Sequence, residues 1–209
     1  MTLAEMVADV RAATDQDASG QVPPDAYRRW IDQEYQAVRR LLGSLIPSLY
    51  LARVSFTIAT GNTWAITPPL WGRLHLLERD NGPGNYVALA AANPLDPERI
   101  PWRYVQAVLE RGNVLEIYPE LTAAGNYRAT YIAQPARLAV DGSADGTVVD
   151  VPPEFDRVIA ERVAARVRVR VEEDPAPHIR AAEEALREGK WYLRRRYGVM
   201  AEAGILEGR

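Results

Sequence analysis

Residues 157–175 read RVIAERVAARVRVRVEEDP, and two periodicities compete for them. Val167, Val169 and Val171, separated by Arg168 and Arg170, alternate as a half-buried strand does. Ile159, Val163, Val167 and Val171 instead recur every four residues, as on one slowly drifting helical face, with Ala160 and Ala164 beside that stripe allowing close packing. Alternation explains only the last five residues, so the stretch predicts a helix. Pro152-Pro153-Glu154 opens it, because proline near the first helical position and an acid in the first turn both favour a helix start. Asp174-Pro175-Ala176-Pro177 ends it and starts another, since Asp is a good N-cap and proline is tolerated in a first turn.

The helical reading decides where the arginines point. Arg157, Arg162, Arg166, Arg168 and Arg170 fan across the flanks and back of the helix, and Val169 lies off the main stripe. Such a helix is expected to pack on two sides, with another subunit as a candidate for the second. The helix that follows would carry Ile179, Ala182, Leu186, Trp191 and Leu193, with Gly189 as a weak point, and fray near Gly198.

Working outward to the N-terminus, Thr2 with Glu5 forms a capping-box pattern ahead of Leu3, Met6, Val7 and Val10 at helical spacing. A polar linker, TDQDASGQ, leads to Pro23-Pro24-Asp25. From there Tyr27, Trp30, Ile31, Glu34, Val38, Leu41 and Leu42 track one helical face up to Gly43. Glu34 is the one break in the stripe and is expected at its edge.

Between these helical ends the texture changes. Val54, Phe56 and Ile58 alternate with small or polar residues, and Thr60-Gly61-Asn62 supplies a turn before Trp64 and Ile66. Further strands are expected at RLHLLE from Arg73, YVALAA from Tyr86, WRYVQAVLE from Trp102, NVLEIYP from Asn113 and NYRATYIAQP from Asn126. Turn signals at Asn81-Gly82-Pro83-Gly84, a proline-rich loop over 93–101, Arg111-Gly112-Asn113 and Gly125-Asn126 separate them. Short strands at this spacing indicate an antiparallel sandwich or barrel rather than parallel βαβ units. The expected class is α+β: N-terminal helices over 1–50, an inserted β domain over 51–140, C-terminal helices over 150–197 and a tail over 198–209. No internal repeat suggests a solenoid.

Composition narrows the function classes. With 209 residues, 47% apolar and 25% charged, the chain has the make-up of a folded protein with ample core. Lys+Arg 25 against Asp+Glu 28 gives a net charge of -3, which argues against a general nucleic-acid binder held by phosphate contacts. The absence of cysteine excludes disulfides, thiolate chemistry and cysteine-ligated zinc. The N-terminus MTLAEMVADVRAATDQ lacks the apolar core of a signal peptide and no run reaches the length of a membrane span, so a cytoplasmic origin is the default expectation.

Catalytic signatures are sparse. The two histidines, His75 and His178, lie in unrelated segments without acidic neighbours at metal-ligand spacing, and neither a P-loop, a dinucleotide fingerprint nor a nucleophile elbow occurs. Acid runs such as Glu172-Glu173-Asp174 and Glu183-Glu184 read as solvated helix faces. No cofactor, metal or catalytic residue is expected. The cluster Lys190-Trp191-Tyr192-Leu193-Arg194-Arg195-Arg196-Tyr197 mixes cations with aromatics, which suits phosphate, stacking or an acidic protein surface, and equally a basic helix end complementing the macrodipole. In the tail GVMAEAGILEGR, Ile205 and Leu206 are possible anchors for a partner groove, with simple disorder as the competing reading.

Three segments carry a family likeness: YRRWIDQEYQAVRRLL from Tyr27, VLEIYPELTAAGNYRATYIAQP from Val114 and, above all, PPEFDRVIAERVAARVRVRVEEDPA from Pro152. Together with the order of helices, β insertion, helices and tail, the chain resembles the head-tail connector (adaptor) proteins of tailed bacteriophages, including the tail accessory factors of short-tailed phages. The resemblance implies a ring subunit without catalysis, in the neck of the virion and in the host cytoplasm during assembly. It would dock beneath the portal, extend the DNA channel and present a platform for tail or neck proteins. Family members generally form rings of twelve, with the helical bundle as ring body and the C-terminal segment reaching toward the portal. Partners would then be further copies of the chain, the portal, tail proteins and genomic DNA passing without sequence specificity, with no membrane. Subunit or portal contacts would come from Arg157, Arg162, Arg166, Arg168 and Arg170, from Lys190, Trp191, Arg194, Arg195, Arg196 and Tyr197, and from Ile205 and Leu206.

Two other classes compete. A virion-associated cell-wall hydrolase would need an acid pair in a cleft. A carbohydrate- or nucleic-acid-binding module would use Trp64, Trp71, Trp102 and Tyr104 as an aromatic platform on the β domain, although aromatics at alternating strand positions more often fill cores.

Overall fold

The structure is a computed structural model that describes residues 1–15, 22–59, 61–65, 71–91, 106–111, 114–121, 124–139, 141–143 and 145–197. Among these, four helices and eight strands divide into a helical unit, Met1–Ile46 with Arg137–Arg209, and a β unit, Pro47–Ala136.

Helix α1 (Leu3–Ala13) starts at the capping box expected from the sequence: the Glu5 N–H donates to Thr2 Oγ1 at 3.2 Å and the Thr2 N–H to Glu5 Oε2 at 2.7 Å. It buries Leu3, Met6, Val7 and Val10. Helix α2 (Pro24–Leu45) follows Pro23 and runs two residues past Gly43, where the sequence had suggested a stop. The Ile46 N–H still reaches the Leu42 carbonyl at 2.8 Å, and Pro47 then ends the ladder.

Residues 157–170 form a helix, and Val171, the last residue of the expected stripe, is its half-buried C-cap. A 3-10 turn, Pro153–Phe155, leads into α3 (Asp156–Arg170), which buries Val158, Ile159, Val163, Ala164, Ala165 and Val167. That face is wider than one stripe because α3 packs against α1, α2 and the following helix, α4 (Ala176–Tyr197). The chain's own helices therefore supply its second packing side, and Val169 stays 62% exposed. A Schellman motif closes α3: the Glu173 N–H donates to the Arg168 carbonyl at 2.8 Å and that of Glu172 to the Val169 carbonyl at 3.3 Å. Glu172 thereby adopts φ 61°, a left-handed conformation that favours glycine.

Helix α4 departs from the expected burial. Ala182, Ala185, Gly189 and Leu193 face inward, while Ile179 and Trp191 are 46% and 60% exposed. Gly189, read from sequence as a weak point, is a packing site: a Cβ there would lie 2.9 Å from Cζ of the fully buried Phe155. Small residues let α4 close on that ring, and Ile179 and Trp191 are left outside.

In the β unit, β1 (Leu51–Ile58), β2 (Gly61–Ala65), β3 (Trp71–Asp80), β4 (Tyr86–Ala88), β5 (Ala90–Ala91), β6 (Ala107–Arg111), β7 (Val114–Leu121) and β8 (Gly125–Ala133) form two four-stranded sheets. Their orders are β1-β8-β3-β4 and β2-β7-β6-β5. Ile58, Leu77, Tyr127, Ala129 and Tyr131 of the first sheet meet Val108, Leu115 and Ile117 of the second in one core, with Leu89 between them. The YVALAA run is two strands rather than one. Leu89 bonds back to the Leu77 carbonyl at 2.9 Å, and the next N–H, of Ala90, reaches the Gln106 carbonyl at 3.1 Å, so the chain changes sheets there. The pairing of β5 with β6 is parallel, the one departure from the antiparallel expectation among the described strands. The strand expected from Trp102 is described only from Ala107, residues 101–105 lying outside the described residues. Asn81-Gly82-Pro83-Gly84 is the hairpin turn between β3 and β4, with the Asn81 N–H donating to the Asn85 carbonyl at 2.9 Å and positive φ at both glycines.

Replacing Gly189 with Ala tests the α4 packing. Helix propensity favours Ala by about 1 kcal/mol, but overpacking a rigid site costs about 1–3 kcal/mol. The expected outcome is a net loss of stability, read as a lower urea midpoint, whereas Ala at exposed Glu188 should not lower it.

Candidate interaction surface of the helical unit

Helix α2 buries Asp32, Glu34, Gln36 and Arg39 along with its apolar face, and buried charge requires partners. Glu34 is not at the edge of the stripe. Arg162 Nη1 approaches its Oε2 at 3.3 Å, and Arg166 pairs with its Oε1 while also bonding Gln33. Asp32 accepts from Arg137 Nη1 at 2.8 Å and from the Leu138 N–H at 2.9 Å. Arg39 meets Asp150 at 3.1 Å, and Arg28 grips Asp145 with two bonds of 2.7 and 2.6 Å, which hold that carboxyl below its ordinary range.

Most of the α3 arginines expected at an interface thus have partners inside the chain. Besides Arg162 and Arg166, Arg168 pairs with Glu173 and lies 3.7 Å from Asp15, and Arg157 Nε is 3.8 Å from Glu161. Arg170 is exposed with no ion pair among the described residues. The sequence reading missed Arg28, Asp32, Arg39, Asp145 and Asp150, whose pairings span more than a hundred residues and leave no local periodicity. It also missed that His178 Nδ1 lies 2.8 Å from Glu161 Oε2, tying α4 to α3. His75 is exposed.

The end of α4 is different. Arg194, Arg195, Arg196 and Tyr197 are exposed and Lys190 is half-buried. None of these cations is paired with a carboxylate among the described residues. Arg195 lies 5.4 Å from the centroid of the Trp191 ring, and Arg196 lies 5.6 Å from those of Tyr192 and Tyr197 and donates to the Tyr192 hydroxyl. Trp191 borders an open groove of about 700 Å³ in which two arginines, Arg157 and Arg187, stand with two carboxylates, Glu154 and Glu188. Ile205 and Leu206 lie outside the described residues.

Elsewhere the chemistry is quiet. No group of three metal-ligating side chains occurs, and no helix is long and apolar enough to cross a membrane, both among the described residues. In the β unit Trp64 stacks on Phe56 with ring centroids 3.8 Å apart and packs on the core; the side chain of Trp71, and Trp102 and Tyr104, fall outside what is described.

A family model described as SU10 adaptor protein matches residues 1–203. The chain belongs to the SU10 adaptor protein family. No curated protein matches the sequence. As a phage adaptor it works by binding other virion proteins, so the surfaces above, rather than a catalytic cleft, are where its function is to be sought.

Two outcomes test the electrostatics. Removing both Arg162 and Arg166 as alanines leaves Glu34 buried without a cation, at a cost of about 3 kcal/mol. Glu34→Gln leaves two half-exposed arginines that water can solvate, at about 1 kcal/mol, so urea unfolding should rank the double variant well below the single one. Asp156 is the second case. It is buried, with Oδ2 3.5 Å from the Met1 ammonium and no hydrogen bond to Oδ1. Burial pushes its carboxyl above the ordinary range, the ammonium acting against this. The folded chain then keeps this proton over a pH window in which the unfolded chain has lost it, so the group subtracts stability as pH rises through that window. Asp156→Asn is expected to raise stability at about pH 7 and to leave it unchanged below about pH 3, where both states are protonated.

Proposed function

We propose that this adaptor is a ring-forming subunit that docks beneath the portal of a DNA-filled capsid, continues the DNA channel and carries the tail or neck proteins. The observation that carries the reading is the basic, aromatic end of α4, whose cations have no carboxylate partner in the described chain while those of α3 mostly do. Unpaired cations beside an exposed Trp suit an acidic protein surface, because arginine and tryptophan dominate binding hot spots. The net charge of -3 fits a channel wall along which DNA slides without sticking. The tail over 198–209, continuing from that end, supplies Ile205 and Leu206 as anchors toward the portal.

Mass photometry and negative-stain microscopy of the full chain, alone and with its portal, test this. Rings, or portal particles that gain mass in multiples of one chain per portal subunit, are expected. A monomer indifferent to the portal overturns the reading. Charge reversal of Arg194, Arg195 and Arg196 to Glu should abolish the added mass, and deletion of 198–209 should weaken portal binding; unchanged binding after that deletion would remove the tail from the contact.

A further inference from the structure

Asn81 is the only asparagine of the chain that is followed by glycine, and it stands at the tip of the β3–β4 hairpin. Its side chain is exposed and makes no hydrogen bond among the described residues. An asparagine Cγ lies one side-chain rotation from the next backbone nitrogen, and closure between the two gives a five-membered ring. Two things oppose that closure in most sequences: the Cβ of the following residue, which crowds the nitrogen, and the proton the nitrogen carries. Gly82 has no Cβ, and no heavy atom lies within 4 Å of where one would stand. Its N–H already donates to Asp80 Oδ1 at 3.0 Å, within the reach of a general base. Asp80 also lines an open cavity of about 280 Å³ with Ser55, Thr57 and Tyr86, so the carboxylate is open to water.

The other candidates lack this set. Asn85 precedes Tyr86, and Asn126 precedes Tyr127 with its Oδ1 taken by the Thr57 hydroxyl at 2.7 Å. Ahead of Gly142 and Gly146 stand acids rather than amides. Asp141 accepts from the Ser143 N–H at 2.9 Å and Asp145 is held by Arg28. A carboxylate resists nucleophilic attack and has no amine to lose.

We infer that Asn81 is a self-modification site at which Asp80 drives conversion of the amide into aspartyl and isoaspartyl residues. Asp80 takes the Gly82 proton as that nitrogen bonds to Asn81 Cγ. The proton then passes to the side-chain amine, the Cγ–Nδ2 bond breaks, and ammonia leaves a succinimide. Water adds to one of the two ring carbonyls of the former Asn81, that carbon's bond to the ring nitrogen breaks, and the nitrogen regains a proton. Water is consumed, ammonia is released, and nothing is oxidised or reduced. Opening at the side-chain carbonyl leaves aspartate. Opening at the main-chain carbonyl leaves isoaspartate, with one more carbon in the main chain. That carbon falls between two groups that Asn85 holds, the Asn81 N–H at 2.9 Å and the Gly82 carbonyl at 2.8 Å, so the isoaspartyl form reshapes the turn.

Peptide mapping by mass spectrometry of the folded full chain, held at neutral pH over days, tests this. Trypsin releases the peptide 80–99, in which Asn85 and Asn93 are internal references. The amide-to-acid mass change is expected to grow with time at position 81 and not at 85 or 93, with aspartyl and isoaspartyl forms separating on chromatography. Asn81→Gln is expected to abolish it. Asp80→Asn keeps an oxygen for the Gly82 N–H, so the turn survives, but removes the base. Conversion at 81 should then slow at least about tenfold in the folded chain. In urea, where Asp80 is no longer held on Gly82, variant and wild type should convert alike. The inference is overturned if the Asn81 amide lasts as long as that of Asn85, if the folded Asp80→Asn chain converts at the wild-type rate, or if the slowing is equal in urea.

Discussion

A single buried carboxylate organises the helical unit. Glu34 sits inside the α2 face, and a carboxylate in that position is tolerable only with cations at hand. Arg162 and Arg166, one helical turn apart on α3, supply them. Because both must reach the same group, rotation and axial slip of α3 along α2 are fixed together, which apolar contact alone does less sharply. The packing of α1 and α4 on the other faces of α3 then follows from which of its residues remain available.

The same helix governs the return of the chain from the β unit. Asp32 takes Arg137 and the Leu138 N–H, Arg39 takes Asp150, and Arg28 takes Asp145. Three charged residues of α2 thus hold the segment that connects the last strand to α3. An insertion of some ninety residues between Pro47 and Ala136 is compatible with one helical core because the chain is held again as soon as it comes back.

Much of this was legible in the sequence where the physics is local. The Thr2 and Glu5 box, the start of α2 at Pro24 and the spacing by four in α3 are periodic or capping signals, and all three appear where they point. Turn residues located most strands. What was not legible depends on partners distant in sequence. Glu34 looks like a flaw in a stripe until Arg162 and Arg166 are placed beside it. The break of YVALAA at Leu89 is invisible because both halves have the same strand character and differ only in which sheet receives them. The α3 arginines looked alike as a fan, yet four of the five meet carboxylates of their own chain.

The exposure of Trp191 follows from packing and not from any property of tryptophan. Once Phe155 is buried at the start of α3, the helix that crosses it must present a residue without a side chain, and Gly189 does. Ala182, Ala185 and Leu193 lie on the same face as Gly189 at helical spacing. Trp191, two positions from both Gly189 and Leu193, is then rotated about 200° from that face, into solvent. A hydrophobicity stripe ranks residues by size and puts Trp191 inside; close approach ranks them by smallness and puts it outside. The second criterion wins because a Cβ at position 189 would lie 2.9 Å from the Phe155 ring, a clash that the burial of an indole elsewhere does not relieve. Aromatic and basic character therefore gather together at one end of the hairpin as the geometric consequence of a tight contact behind them.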